Sequence, residues 1–244
     1  MINDISILSE YGNLISICLN NKTFNNPLDN LPNTLQTLIL TCSKFNQPID
    51  NLPLQLQELD LYSDEFNQPI NNLPPQLKKL ILYSKEFNQT IDFLPQSLIN
   101  LELKCKQFTH PLDNLPHTIN YMDINCKQFN QPINHLPNSL KLLTFKSHEF
   151  NQKIDSLPNG IERLEMHCCE FNQPINNLPN TLKKLHLLEC VNFNHSLDYL
   201  PESLEELQFY GFHGFNNQLN KLPKSLNYLD VSFHIFNHSL DNLP

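Results

Sequence analysis

One phenylalanine sets the frame of this chain. It recurs at Phe24, Phe45, Phe66, Phe87, Phe108, Phe129, Phe150 and Phe171, always 21 residues apart, and continues at Phe193, Phe215 and Phe236 with spacings of 22, 22 and 21. A unit this short cannot enclose an apolar core of its own. It is one turn of a coil, and its apolar residues are buried only when further coils stack on both of its flat sides. Ten full repeats fill 24–235, with partial repeats at both ends. Leu14, Ile17 and Leu19 precede Phe24 at the same offsets as Leu35, Leu38 and Leu40 precede Phe45, so the array starts at residue 14. Residues 1–13 read as an N-terminal cap or degenerate repeat, and 14–244 as a single elongated array.

The repeat from Phe45 to Glu65, FNQPIDNLPLQLQELDLYSDE, shows how a coil is made. Leu59-Asp60-Leu61-Tyr62-Ser63 alternates apolar and polar, the mark of a short strand with one buried face. The same strand returns one period later in the same sense, so the strands stack into one parallel sheet of about ten or eleven members. The return path is rich in proline: Pro48 and Pro53 here, with Leu-Pro kept in every copy from Pro32 to Pro244. Proline fixes φ and removes a donor, which leaves extended backbone and a 3₁₀-type turn rather than a helix. Phe45, Ile49, Leu52, Leu56, Leu59 and Leu61 point inwards. The Asn after each Phe recurs from Asn25 to Asn237, broken only by Thr109. An amide offers both donors and an acceptor, so a stacked Asn column can bond the backbone of one turn to the next.

Composition closes off several functions. The formal net charge is −9 and Arg163 is the only arginine, so the basic stripe that nucleic-acid backbone or an anionic membrane surface requires is not expected. No apolar run approaches the ~18 residues of a membrane helix, and MINDISILSEYGN lacks the form of a secretory signal. With four Gly in the chain a phosphate-cradling loop is not expected, and there is no Ser-His-Asp order or paired-carboxylate pattern. No cofactor, no metal and no enzymatic activity are expected. His167-Cys168-Cys169 is the one metal-like run, but neighbouring strand residues face opposite ways. Cys42, Cys105, Cys126, Cys168 and Cys190 share one column with Ser63, Ser84 and Ser147, which reads as a small packing site holding reduced thiols. Cys105 and Cys126 should sit one coil apart, near 5 Å, a spacing that does not forbid a disulfide. Four Asn-x-Ser/Thr sequons, at Asn21, Asn88, Asn194 and Asn237, fall mostly on the Asn column, where a glycan would disrupt the stack. An intracellular, cytoplasmic setting is expected.

The outward strand positions behave differently: they vary from coil to coil. They hold five of the seven tyrosines. Tyrosine presents a large amphipathic surface at low entropic cost, which favours it at interfaces. Glu58, Asp60, Tyr62, Tyr83, Glu102, Tyr121 and Asp123 form the candidate protein-binding set, with Tyr62 beside Tyr83 and carboxylates around them, suited to a partner with a basic or amphipathic segment.

Leu35-x-x-Leu38-x-Leu40-x-x-Ser43 resembles the strand segment of leucine-rich repeats, with Ser43 where that family has Asn or Cys. Phe45-Asn46-Gln47-Pro48-Ile49, repeated at Phe171 to Ile175, is similar to the FNIP repeat, and the resemblance runs from Leu14 to Pro244. It implies a leucine-rich-repeat-type horseshoe or right-handed coil. It also implies an origin in social amoebae or giant DNA viruses of amoebae, in line with the Asn-rich, Ala-free composition of an AT-rich genome; for a viral chain the setting is the host cytoplasm. The family has no established catalytic activity, which points to an interaction scaffold with a protein partner. Some members carry an F-box-like segment before the repeats and would be substrate receptors of a ubiquitin ligase. Such a segment needs roughly forty residues, whereas the repeat phase here starts at Leu14. A fragment of such a protein is the third reading. The array stops in mid-repeat at Leu243-Pro244, and end-to-end self-association through that uncapped coil is a further expectation.

Overall fold

The computed structural model of the chain describes residues 10–233 and 235–239. The first nine residues of the 1–13 segment, and the Leu243-Pro244 end invoked for self-association, lie outside them. The described residues form eleven strands: β1 (Ser16–Asn20), β2 (Thr37–Thr41), β3 (Glu58–Tyr62), β4 (Lys79–Ser84), β5 (Asn100–Cys105), β6 (Tyr121–Asn125), β7 (Leu142–Lys146), β8 (Arg163–His167), β9 (Lys184–Leu188), β10 (Glu206–Phe212) and β11 (Tyr228–Phe233). They make one parallel sheet in chain order, each strand pairing with that of the next coil. The register follows the sequence period: Leu59 lies opposite Leu80, Leu61 opposite Leu82, and Tyr62 opposite Tyr83.

The return contains no α-helix among the described residues. Its proline opens an isolated turn instead. Leu35 N–H donates to Pro32 O at 3.0 Å and Leu56 N–H to Pro53 O at 3.0 Å, and the pattern repeats in each coil as far as Leu226 and Pro223. Proline needs only its carbonyl for this role, so its missing donor costs nothing there.

The predicted inward residues are buried. Phe45, Ile49, Leu52, Leu56, Leu59 and Leu61, with their counterparts in other coils, belong to one continuous core. The repeat phenylalanines stack along it, with ring centroids 6.0–6.4 Å apart from Phe24 to Phe215 and rings within 20° of parallel. Neighbouring strands lie only about 4.8 Å apart. Equivalent atoms are therefore more widely spaced at the rings than at the sheet, each coil is a wedge, and the array bends with the sheet on its inner side.

Polar ladders satisfy the turns. Asn46 N–H donates to Asn25 Oδ1 at 2.8 Å, Asn67 N–H to Asn46 Oδ1 at 2.9 Å and Asn88 N–H to Asn67 Oδ1 at 2.9 Å. Thr109 N–H still donates to Asn88 Oδ1, at 3.1 Å, and the ladder resumes with Asn151 N–H on Asn130 Oδ1 at 3.0 Å. A second ladder was not singled out from the sequence. The hydroxyls of Ser97, Thr118, Thr181 and Ser225 donate at 2.6–2.8 Å to Leu77, Leu98, Ile161 and Leu204 carbonyls of the preceding coil.

The Cys/Ser column is buried. Ser63 and Ser84 hydroxyls donate to Phe45 and Phe66 carbonyls at 2.7 Å, whereas Cys105 and Cys126 Sγ donate more weakly to Leu82 and Leu103 carbonyls at 3.4 and 3.5 Å. The thiols are free, and burial pushes Cys126 up to about 12. In the leucine-rich segment the buried residue is Cys42, as its column predicts, because inward alternation continues from Leu38 and Leu40 through residue 42.

Two coils contain an extra residue. Glu189 has φ 56° and Gly211 has φ 85°, at corresponding places after β9 and within β10. The insertion is absorbed there as a left-handed residue and a register shift between Tyr210 and Phe212, so the flanking Phe columns stay stacked.

Two stability outcomes are expected. Phe129 has no exposed surface and lies 6.1 and 6.4 Å from Phe108 and Phe150, so Phe129→Ala should cost about 3–5 kcal/mol in denaturant titration. Gly211→Ala should cost about 1–2 kcal/mol in the same assay, because φ is positive and the new Cβ would meet the Glu189 backbone at 3.0 Å.

Candidate protein-interaction face

Alternation along each strand turns three columns of side chains away from the core, and parallel pairing aligns them coil on coil. The seven residues singled out from the sequence fall on four successive strands. Glu58, Asp60 and Tyr62 lie on β3, Tyr83 on β4, Glu102 on β5, and Tyr121 and Asp123 on β6. Tyr62 and Tyr83 are direct neighbours, with ring centroids 6.4 Å apart at 33°. They line an open hollow of about 510 Å³ with Thr41, Ser43, Ser63 and Asp64.

The carboxylates are less available than their outward positions suggest. Asp60 is only 9% exposed, and Ile81 and His186 of the same middle column are also buried. Side chains one strand spacing apart on the inner side of a bend crowd together, and the middle column is flanked on both sides. Lys79 Nζ lies 3.2 Å from both oxygens of Asp60 and donates to Oδ2. Lys104 Nζ lies 2.7 Å from Glu102 Oε2 and 3.4 Å from Asp123 Oδ2. Burial holds the Asp123 carboxyl above its ordinary value despite Lys104, and burial with Glu102 and Asp123 nearby raises the Tyr121 phenol. The Tyr pair is thus edged by carboxylates that lysines of the same face already occupy. Glu58 is exposed at the margin of the face, and Tyr121 is half-buried.

A second charged group, on β8–β10, was not singled out from the sequence. Glu165 accepts from Arg163 at 3.0 Å and bonds His167 at 3.1 Å, while Glu206 accepts from Lys184 at 2.6 Å and bonds buried His186 at 2.8 Å. The only signal was the alternation of charge between columns of adjacent coils. Burial raises Glu165, but His167 and Arg163 outweigh it and hold the carboxyl below its ordinary value; the Lys184 hydrogen bond does the same for Glu206 against burial, helped by His186. In the metal-like run, His167 faces Glu165 while Cys168 is fully buried on the other side.

Two windows, residues 45–85 and 129–169, match the FNIP repeat family model, and each opens on a repeat phenylalanine. Those two windows are FNIP repeats, and the coils around them keep the same period. The FNIP chain is similar to CroV588, described as a novel circular LRR protein, with 30% identity and a TM-score of 0.64 over 93% of this chain and 41% of that one. It is similar in fold to the functional domain of InlJ from Listeria monocytogenes, which includes a cysteine ladder (13% identity, TM-score 0.71, 96% of this chain and 57% of that one). A third likeness is the Leptospira interrogans LRR protein LIC12759 (22% identity, TM-score 0.62, 94% and 69%). The FNIP array therefore has a leucine-rich-repeat-type fold, and it spans 41% and 57% of the length of the first two. Comparison with curated protein sequences gave no match.

The β8–β10 group generates a pH outcome. A carboxyl whose folded pKa is lowered contributes stability above its unfolded value, near 4.5, and loses it as pH falls through the folded value. Glu206→Gln should therefore be less stable than wild type at pH 6, and the gap should close as pH drops from about 5 towards 3. Urea midpoints at each pH check this; a gap that widens in acid would contradict it.

Proposed function

We propose that the FNIP array is a non-enzymatic scaffold that holds a protein partner on the strand face, with Tyr62 and Tyr83 as the anchor. The observation that carries this reading is the Tyr pair over its open hollow of about 510 Å³. Solenoids of this type present extended binding surfaces. The division of labour between columns supports it further: the inward ones repeat nearly the same residues, while the outward ones vary along the array. Glu58, Asp60, Glu102, Tyr121 and Asp123 then serve as the surround, and the Lys79 and Lys104 ion pairs stiffen it. The interchange of Cys and Ser in a buried column, with free thiols, supports an intracellular setting.

The test is affinity capture from native or infected cells. Tyr62→Ala with Tyr83→Ala should remove a specific partner while leaving the melting midpoint close to wild type; aromatic anchors at an interface centre contribute about 2 kcal/mol or more each. Asn51→Ala with Leu54→Ala, two exposed residues of the return, should leave capture intact. Loss of capture in the return variant, with retention in the Tyr variant, would move binding off the strand face.

A further inference from the structure

Beside the tyrosine hollow lies a second one of about 250 Å³, and Tyr83 lines both. Its other walls are Ser84, Lys85, Lys104, Lys106, Asn125 and Lys127. Four lysines around one small hollow is a local reversal of sign in a chain of net charge −9. Lys85, Lys106 and Lys127 hold the same position in three successive coils. The backbone of that column is tied coil to coil: Lys85 N–H donates to Asp64 O at 3.2 Å, Lys106 N–H to Ser84 O at 3.1 Å, and His148 N–H to Lys127 O at 3.1 Å.

Like charges on adjoining strands repel. At several other places the array sets a carboxylate among its lysines. Glu162 lies between Lys141 and Lys183 at 3.6 and 3.3 Å, Glu206 meets Lys184 at 2.6 Å, and Lys44 meets Glu65. In the hollow, Lys85 pairs with Asp64 at 3.0 Å, and Lys104 is held by Glu102 and Asp123. Lys106 and Lys127 are exposed, and among the described residues no carboxylate lies within 4.0 Å of either. Neither has an ion-pair partner among the described residues, and both line the hollow that Tyr83 shares.

We propose that the lysine hollow binds the acidic part of an extended peptide segment whose neighbouring apolar side chain enters the tyrosine hollow. This rests on the reading of the strand face as a protein-binding surface and gives the partner's chemistry. Dimensions favour a peptide over a nucleic acid. The lysine column spans three coils, about 10 Å at the strand spacing, and alternate side chains of an extended peptide are about 6.7 Å apart. An apolar residue over the Tyr pair therefore brings acidic residues two and four positions further on into reach of Lys104, Lys106 and Lys127. A nucleic-acid backbone carries its charge far beyond that length, in a chain whose net charge is −9. The partner class is thus an acidic segment, in place of the basic one that the outward carboxylates suggest before their lysine partners are known.

The experiment measures fluorescence anisotropy with the whole chain at low ionic strength. The probes are a labelled peptide with one phenylalanine followed by an aspartate–glutamate run, its amide twin with asparagine and glutamine instead, and a labelled oligothymidylate. The acidic peptide should bind about tenfold or more tightly than its amide twin, and added salt should weaken it. Lys106→Gln with Lys127→Gln should cut its affinity by about tenfold, and Lys106→Arg with Lys127→Arg should retain it, which separates charge from folding. Tyr83→Ala should also weaken it. Equal binding of the two peptides, binding of neither, indifference to the Lys→Gln pair, or tighter binding of the oligothymidylate would each overturn the proposal. If the acidic peptide fails while the Tyr variant still loses its partner from cells, the acidic-segment inference falls and the scaffold reading stands. If the peptide binds as expected but capture ignores the Tyr pair, the scaffold reading falls instead.

Discussion

A coil of 21 residues has two open flat sides, and closing them is the constraint from which the rest of this protein follows. Phe45, fully buried, is enclosed above and below by Phe24 and Phe66 rather than by its own repeat. Every interior residue therefore depends on a copy of itself, and this is why the inward columns repeat so strictly. Backbone polar groups face the same problem, and the same solution recurs. The Asn amide oxygens accept from N–H groups of the following coil and the Ser/Thr hydroxyls donate to carbonyls of the preceding one, satisfying donors and acceptors that a single turn leaves open. Stability built this way comes largely from nearest-neighbour interfaces.

The outward side chains carry no such obligation, and electrostatics decides how they settle. Lysines and carboxylates of adjacent coils find one another, as Lys79 finds Asp60 and Lys184 finds Glu206. Where such pairs are exposed they contribute little individually; their effect is to cancel charge across the face. Cancellation draws attention to the places where it is incomplete, and the lysine column beside Tyr83 is one of them.

The sequence displayed the period, the strands, the buried set and the Asn column, because each is a property of one position copied many times. Leu59, Leu61 and Phe45 could be assigned inwards from alternation alone. What it did not display depends on relations between unlike positions. Asp60 is outward by alternation yet nearly buried, since the bend of the sheet crowds its column. The Tyr62–Tyr83 pair was readable from the period. The lysines that occupy Asp60, Glu102 and Asp123 were not, because a long flexible side chain chooses among several neighbours. The extra residues of the two longer coils showed as spacings, but only backbone conformation located them at Glu189 and Gly211.

The wedge has a consequence for how such a molecule can evolve. Rings 6.0–6.4 Å apart over strands about 4.8 Å apart fix an angle between one coil and the next. Radius is thereby written into a single repeat, while the number of repeats only decides how much of an arc is drawn. Duplicating or deleting a whole repeat by recombination lengthens or shortens the arc without altering its radius. A gene can thus explore reach freely, while a ligand lying along the inner side always meets the same curvature.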